Sequence, residues 1–150
     1  MTATVHILNG PNLNLLGVRE PHLYGHTTLA QVRDRCLALS AELGLRCVFR
    51  QSNHEGVLVD WVQEARAEGA AVVINPAGLS FRSIPLLDAL KMLDQPVIEV
   101  HITNIHRREA PYRDSLTSLA STGVICGLGP IGYELALHAV AQRLRAATTA

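Results

Sequence analysis

Short β-branched runs alternate with amphipathic stretches five times along this chain, and few folds satisfy that alternation. Val5 to Leu8 is the first run, and it ends in the breaker Asn9-Gly10-Pro11-Asn12. Thr27 or Thr28 then caps a helix in which Leu29, Val32, Cys36, Leu39 and Leu43 recur three and four residues apart, and Gly44 ends it. Arg46 to Gln51 predicts a second strand. Gly56 to Glu68 predicts a helix with Leu58, Trp61, Val62 and Ala65 on one side, closed by Gly69. Ala71 to Ile74 is a third strand and stops at Asn75-Pro76. Ser83 or Ile84 opens a helix carrying Leu86, Leu87, Leu90 and Leu93. Val97 to Ile102 and Thr122 to Cys126 are the fourth and fifth strands. Pro130 stands where a first helical turn favours proline, and the last helix runs to about Arg145.

Strands that alternate with helices pair in parallel, and continuous apolar strands such as AAVVI fit burial on both faces. Right-handed crossovers then give an α/β, flavodoxin-like, doubly wound five-stranded sheet, a three-layer αβα sandwich. The chain has 150 residues, 48% of them hydrophobic, which suits one catalytic domain over 1–150. Lys+Arg and Asp+Glu number 13 each. That balance argues against nucleic-acid binding, which needs a basic field, and does little to keep copies apart. Cys36, Cys47 and Cys126 show no metal spacing and read as small buried hydrophobes in a reducing compartment. No secretory signal or membrane-length apolar run stands out, so a cytoplasmic protein without membrane contact is expected.

Ligands of such sheets bind beyond the strand C-termini. The polar residues there are Asn9 and Asn12, then Asn75, then Glu99, His101, Thr103 and Asn104. Three such clusters on neighbouring strands predict a crevice. The connection Leu8 to Gly25 is long and holds Arg19, Glu20 and Tyr24 among glycines and prolines, so residues of about 17–26 are expected to form a lid. Tyrosine titrates near ~10 and is a poor base at neutral pH. A neighbouring cation favours its phenolate, so Arg19 beside Tyr24 can make a general base. The plainer alternative is a surface tyrosine and a solvated arginine, and loop composition does not decide between them.

Strand alternation puts Glu99, His101 and Thr103 on one side. A carboxylate beside a histidine fixes its tautomer and favours its charged form, which suits a general acid. A structural Glu-His pair is equally compatible. Backbone N–H groups of Ile102 and Thr103 can hold a carboxylate, and Arg107, Arg108 and Arg113 add positive charge, unless they only solvate a face. His6 and His138 read as structural, and His54 as a rim or interface residue. His22 and His26 sit in the lid, while His106 supports the region of Glu99. Gly127-Leu128-Gly129-Pro130-Ile131-Gly132 matches a dinucleotide fingerprint. That motif belongs at a first strand with further βαβ after it, so tight helix–sheet packing explains the glycines here.

Taken together, LNGPNLNLLGVREPHLYG, RQSNHEG, INPAGLS, PVIEVHITNIHRRE and GVICGLGPIGYELAL resemble type II 3-dehydroquinate dehydratase over essentially the whole chain. The resemblance implies conversion of an anionic small molecule, 3-dehydroquinate, to 3-dehydroshikimate by anti elimination through an enolate, with no metal or organic cofactor. It implies that Tyr24 takes the proton, assisted by Arg19, and that Asn12 stabilises the enolate oxygen. His101 would protonate the leaving hydroxyl, oriented by Glu99. Asn75, Ile102 and Thr103 would hold the substrate, Asp88 would touch ring hydroxyls or a neighbouring subunit, and Arg108 would close the lid. A homo-oligomer, a dodecamer built as a tetramer of trimers, is implied as well.

Departures from the family pattern fall on the hydroxyl-binding side. Phe81-Arg82 stand where the family usually has His-Thr, Tyr112 where it has Arg, and Pro85 and Leu87 replace common Ala and Arg. Phe81 cannot hydrogen-bond a hydroxyl. Arg82 and Arg113 are each one residue away, and an adjacent helical side chain points about 100° elsewhere. Two alternatives therefore stand beside the dehydratase: a paralogue dehydrating a related cyclic hydroxy acid, and a non-catalytic flavodoxin-like binding module.

Overall fold

Five parallel strands lie in the order β2-β1-β3-β4-β5. They are β1 (Thr4–Asn9), β2 (Arg46–Gln51), β3 (Ala71–Asn75), β4 (Val97–His101) and β5 (Gly123–Cys126). The computed structural model describes residues 2–149. β3 and β4 are buried at every position, as strands covered on both faces must be, whereas the edge strand β5 exposes Val124. The order is the flavodoxin-like one read from the alternation of strands and helices, with its switch point between β1 and β3.

The helices divide between the two faces. Leu29–Glu42 (α2) and Ile131–Thr149 (α5) cover one side, where Val32, Cys36, Tyr133 and Leu137 meet Val5, Ile7, Val73 and Val100. Glu55–Glu68 (α3) and Ile84–Lys91 (α4) cover the other, where Leu58, Val62, Leu86 and Leu90 meet Leu8, Val72 and Ile74. Neighbours such as Val72 and Val73 thus feed opposite cores, as a period of two dictates. Thr28 begins α2 with a reciprocal cap: Gln31 N–H donates to Thr28 Oγ1 (3.2 Å) and Thr28 N–H to Gln31 Oε1 (2.9 Å).

Two differences from the sequence reading have local causes. The segment expected to be an irregular lid contains a one-turn helix, Pro21–Tyr24 (α1), started by Pro21 after a left-handed Glu20 (φ 38°). The last helix runs past Arg145 to Thr149, because Ala146 and Ala147 favour helix and the Thr148 and Thr149 hydroxyls return to the Arg145 carbonyl. Among the described residues, no helix is long and apolar enough to cross a membrane.

Close backbone approach builds the strand-end edge. Gly10 N–H donates to the Asn75 carbonyl at 2.8 Å, and a Cβ on Gly10 would overlap the Pro76 carbonyl. The glycines of the dinucleotide-like run are occupied too. Gly127 and Gly129 N–H groups donate to the His101 and Ile102 carbonyls (3.2 and 3.1 Å), and a Cβ on Gly132 would press Val100 Cγ1 at 3.3 Å. They pack the loop and α5 onto β4, with the Gly127 and Gly129 amides engaged by carbonyls at the end of that strand.

Candidate active site

The C-terminal ends of β1, β3 and β4, together with α1, enclose a cleft of about 270 Å³. Asn12, Arg19, Tyr24, Asn75, His101, Ile102, Thr103 and Arg108 all line it, joined by Phe81 and Tyr112. Glu99 lies beneath it. Asp88 is exposed on α4 and Arg113 is exposed beyond Tyr112, and neither reaches this cleft in the single chain. His22, His26 and Arg82 are also exposed and outside it. A shallower groove of about 400 Å³ between α2 and α5 brings together Arg35, Glu42, Glu134 and His138, away from the strand ends.

Alternation along β4 aims Glu99 and His101 the same way, and Glu99 Oε2 meets His101 Nε2 at 2.9 Å. Glu99 is fully buried, so its charge needs several donors. Ser115 Oγ and Ser118 Oγ donate to Oε2 (2.8 and 2.6 Å), and Thr117 Oγ1 donates to Oε1. Burial alone would raise the carboxyl's pKa. The hydrogen bonds from His101, Ser118 and Thr117 outweigh it and hold Glu99 below the usual carboxylate range. Glu99 is therefore a fixed anion, and it engages Nε2 of His101 while Nδ1 makes no hydrogen bond among the described residues. The sequence places His106 as a support of the fold around Glu99. His106 is instead exposed, and its backbone N–H donates to the capping Asn104 Oδ1 at 3.1 Å. The support comes from the Ser115–Ser118 turn, whose only sequence signal is a hydroxyl-rich run just ahead of β5.

Tyr24 ends α1 with its ring between two guanidinium groups. Arg19 lies 5.1 Å from the ring centroid and Arg108 lies 6.0 Å from it, with Arg108 Nη1 donating to the phenolic oxygen at 3.3 Å. Arg108 also stacks on Tyr112, 4.5 Å from that centroid. Tyr112 meets Phe81 edge-on at 6.0 Å, and Phe81 stacks on His101 at 6.3 Å. These contacts between rings had no periodic signature in the sequence.

Asn75 is 3% exposed and held from beneath. Its Nδ2 donates to Tyr133 Oη (2.9 Å), its Oδ1 accepts from Ala77 N–H (3.1 Å), and Tyr133 donates onward to Asn9 Oδ1 (2.7 Å). Burial pushes the Tyr133 phenol well up, against the opposing hydrogen bond from Asn75, so it stays neutral. Asn12 takes a left-handed conformation (φ 70°), which asparagine tolerates, and Asn53 Oδ1 anchors its N–H at 2.9 Å. Its amide faces the cleft without a hydrogen-bond partner among the described residues. Among the described residues, no group of three or more His, Cys, Asp or Glu side chains forms a metal cluster.

The arrangement offers a phenol flanked by cations, a histidine backed by a buried carboxylate, and the unpartnered Asn12 amide in one small cleft. Residues 3–141 match the family model for class II dehydroquinase. A 3-dehydroquinate dehydratase of Caulobacter sp. (strain K31) is 58% identical over 141 residues, covering 94% of this chain and 96% of that one. The Caulobacter vibrioides protein of the same name is 56% identical, covering 97% of this chain and all of that one. The crystal structure of type II dehydroquinase from Propionibacterium acnes superposes with a TM-score of 0.91 at 44% identity, over 95% of this chain and 98% of that chain. A match over nearly the whole chain, in sequence and in fold, makes the assignment: the chain belongs to the class II dehydroquinase family.

Proposed function

We propose that this chain dehydrates 3-dehydroquinate to 3-dehydroshikimate by anti elimination. The observation that carries the reading is a cation-flanked Tyr24 and a Glu99-backed His101 in the same cleft. Tyr24 oxygen takes the proton from the carbon beside the ketone, and the C–H electrons move into an enolate. Arg19 and Arg108 stabilise the negative charge on the phenolic oxygen that does this. Asn12, with its unpartnered amide, steadies the enolate oxygen. The enolate then collapses, the C–O bond breaks, and His101 gives a proton to the departing hydroxide, so water leaves. Glu99 balances the imidazolium and holds its ring. Asn75 and the backbone N–H groups of Ile102 and Thr103 position the substrate.

We further propose the family's dodecamer, in which Asp88 and Arg113 act across a subunit boundary; sedimentation as a stable monomer would sink that. One observation favours a second reading. Phe81 presents a ring without donors or acceptors to the cleft, which suits a related cyclic acid with one hydroxyl fewer on that edge. Ultraviolet absorbance with 3-dehydroquinate tests both. Growth of the conjugated enone, cut by about 10²–10⁴-fold in Tyr24→Phe and in His101→Ala, is the expected result. No growth from the folded, assembled chain removes the first reading and leaves the second.

A further inference from the structure

We propose that Tyr112, braced by Phe81, is a positioning residue that holds Arg108 against Tyr24 and so sets the geometry of proton removal. The inference rests on the proposed role of Tyr24. Arg108 follows a short 3-10 turn, Ile105–Arg107, on an extended residue with a long flexible stem. Among the described residues no carboxylate comes within ion-pair distance of its guanidinium. Arg19, the other cation at Tyr24, differs in this: its Nε lies 3.5 Å from Glu20 Oε2, which offsets its charge. Within the single chain's described residues Arg108 is thus the cation at the phenolic oxygen that no carboxylate offsets, and an arginine without an ion-pair partner samples many rotamers unless something restrains it.

The restraint is aromatic. Arg108 sits 4.5 Å from the Tyr112 centroid, closer than to the Tyr24 ring, within the range where a guanidinium is drawn to a ring face. Tyr112 is 40% exposed and its hydroxyl makes no hydrogen bond among the described residues, so the ring rather than the oxygen does the holding. Its backbone N–H is anchored on the Glu109 carbonyl at 2.9 Å, and Phe81 meets its ring at an interplanar angle of 86°. The same Phe81 stacks on His101, so one aromatic pair links the Tyr24 side of the cleft to the His101 side. A base assembly fixed before substrate arrives needs less reorganisation at reaction.

The test compares Tyr112→Ala with Tyr112→Phe in the full-length assembled protein, using substrate deuterated at the carbon that loses its proton. Tyr112→Ala is expected to lower kcat about tenfold with a smaller change in KM, and to enlarge the primary isotope effect. Tyr112→Phe, which keeps the ring, recovers most of that loss. A Phe variant as impaired as the Ala variant overturns the proposal, as does a loss confined to KM with an unchanged isotope effect. Phenylglyoxal modification of Arg108, mapped by mass spectrometry, separates this from the assigned reaction. If 3-dehydroquinate is not turned over, faster modification in Tyr112→Ala than in the parent still supports the clamp, and equal rates overturn it.

Discussion

Tyr133→Phe removes one oxygen from the centre of the protein and should be felt both in stability and at the substrate. The Tyr133 hydroxyl donates to Asn9 Oδ1 at 2.7 Å and accepts from Asn75 Nδ2 at 2.9 Å, with all three side chains buried. Phenylalanine fills the same volume, so the hydrophobic contribution is unchanged and the cost falls on the two partners. Asn9 Oδ1 has no other donor among the described residues, and each orphaned buried group costs roughly 1–3 kcal/mol. Two of them give about 2–4 kcal/mol after partial relaxation. For a chain of this length each kcal/mol lowers Tm by about 2–4 °C, so a drop of roughly 5–15 °C is expected in melts at one fixed protein concentration. Asn75 then keeps only its bond from Ala77 N–H, and its freer amide should raise KM by up to about tenfold. A melt within about 1 °C of the parent, with KM unchanged, refutes the claim that α5 holds Asn75 in place.

The Glu99 network makes stability depend on pH in a defined direction. Its folded pKa lies below the unfolded value, so the carboxylate stabilises the fold above about pH 4.3 and that contribution is lost as pH falls through the folded value. Thermal melts of Glu99→Gln should therefore trail the parent by a constant gap near neutrality, and the gap should close in acid; a gap that persists undiminished at pH 3 contradicts the assignment. Cysteine labelling gives an independent check of burial. Desolvation, then the nearby Cys47 and Glu134, push the Cys36 thiol up to about 12, and burial raises Cys47 as well. Iodoacetamide on the native protein at pH 8 should thus mark Cys126 well before the other two, and early labelling of Cys36 in peptide maps would place that part of the core wrongly.

Periodicity carried most of the fold. AVVI is buried at each position because it lies in β3, and the three-and-four spacing of Leu29, Val32, Cys36 and Leu39 is the core-facing side of α2. Both are near-neighbour signals, and a near-neighbour signal survives in a single sequence. The strand-end rule then brought Asn12, Asn75 and His101 into one cleft, because any residue just past a parallel strand shares that edge. What stayed illegible depends on chain that folds back over distances no period describes. The hydroxyls of Ser115, Thr117 and Ser118 reach Glu99 from 16 to 19 residues away through a turn, and Tyr133 reaches Asn9 from 124 residues away across the sheet. The aromatic contacts belong to the same class. Phe81 and Tyr112 were visible only as losses of hydrogen-bonding capacity, since a sequence shows what a side chain lacks before it shows what the side chain touches. Their stacking on His101 and under Arg108 turns that reading around: the two rings expected to weaken the cleft supply the surface on which the Arg108 guanidinium rests.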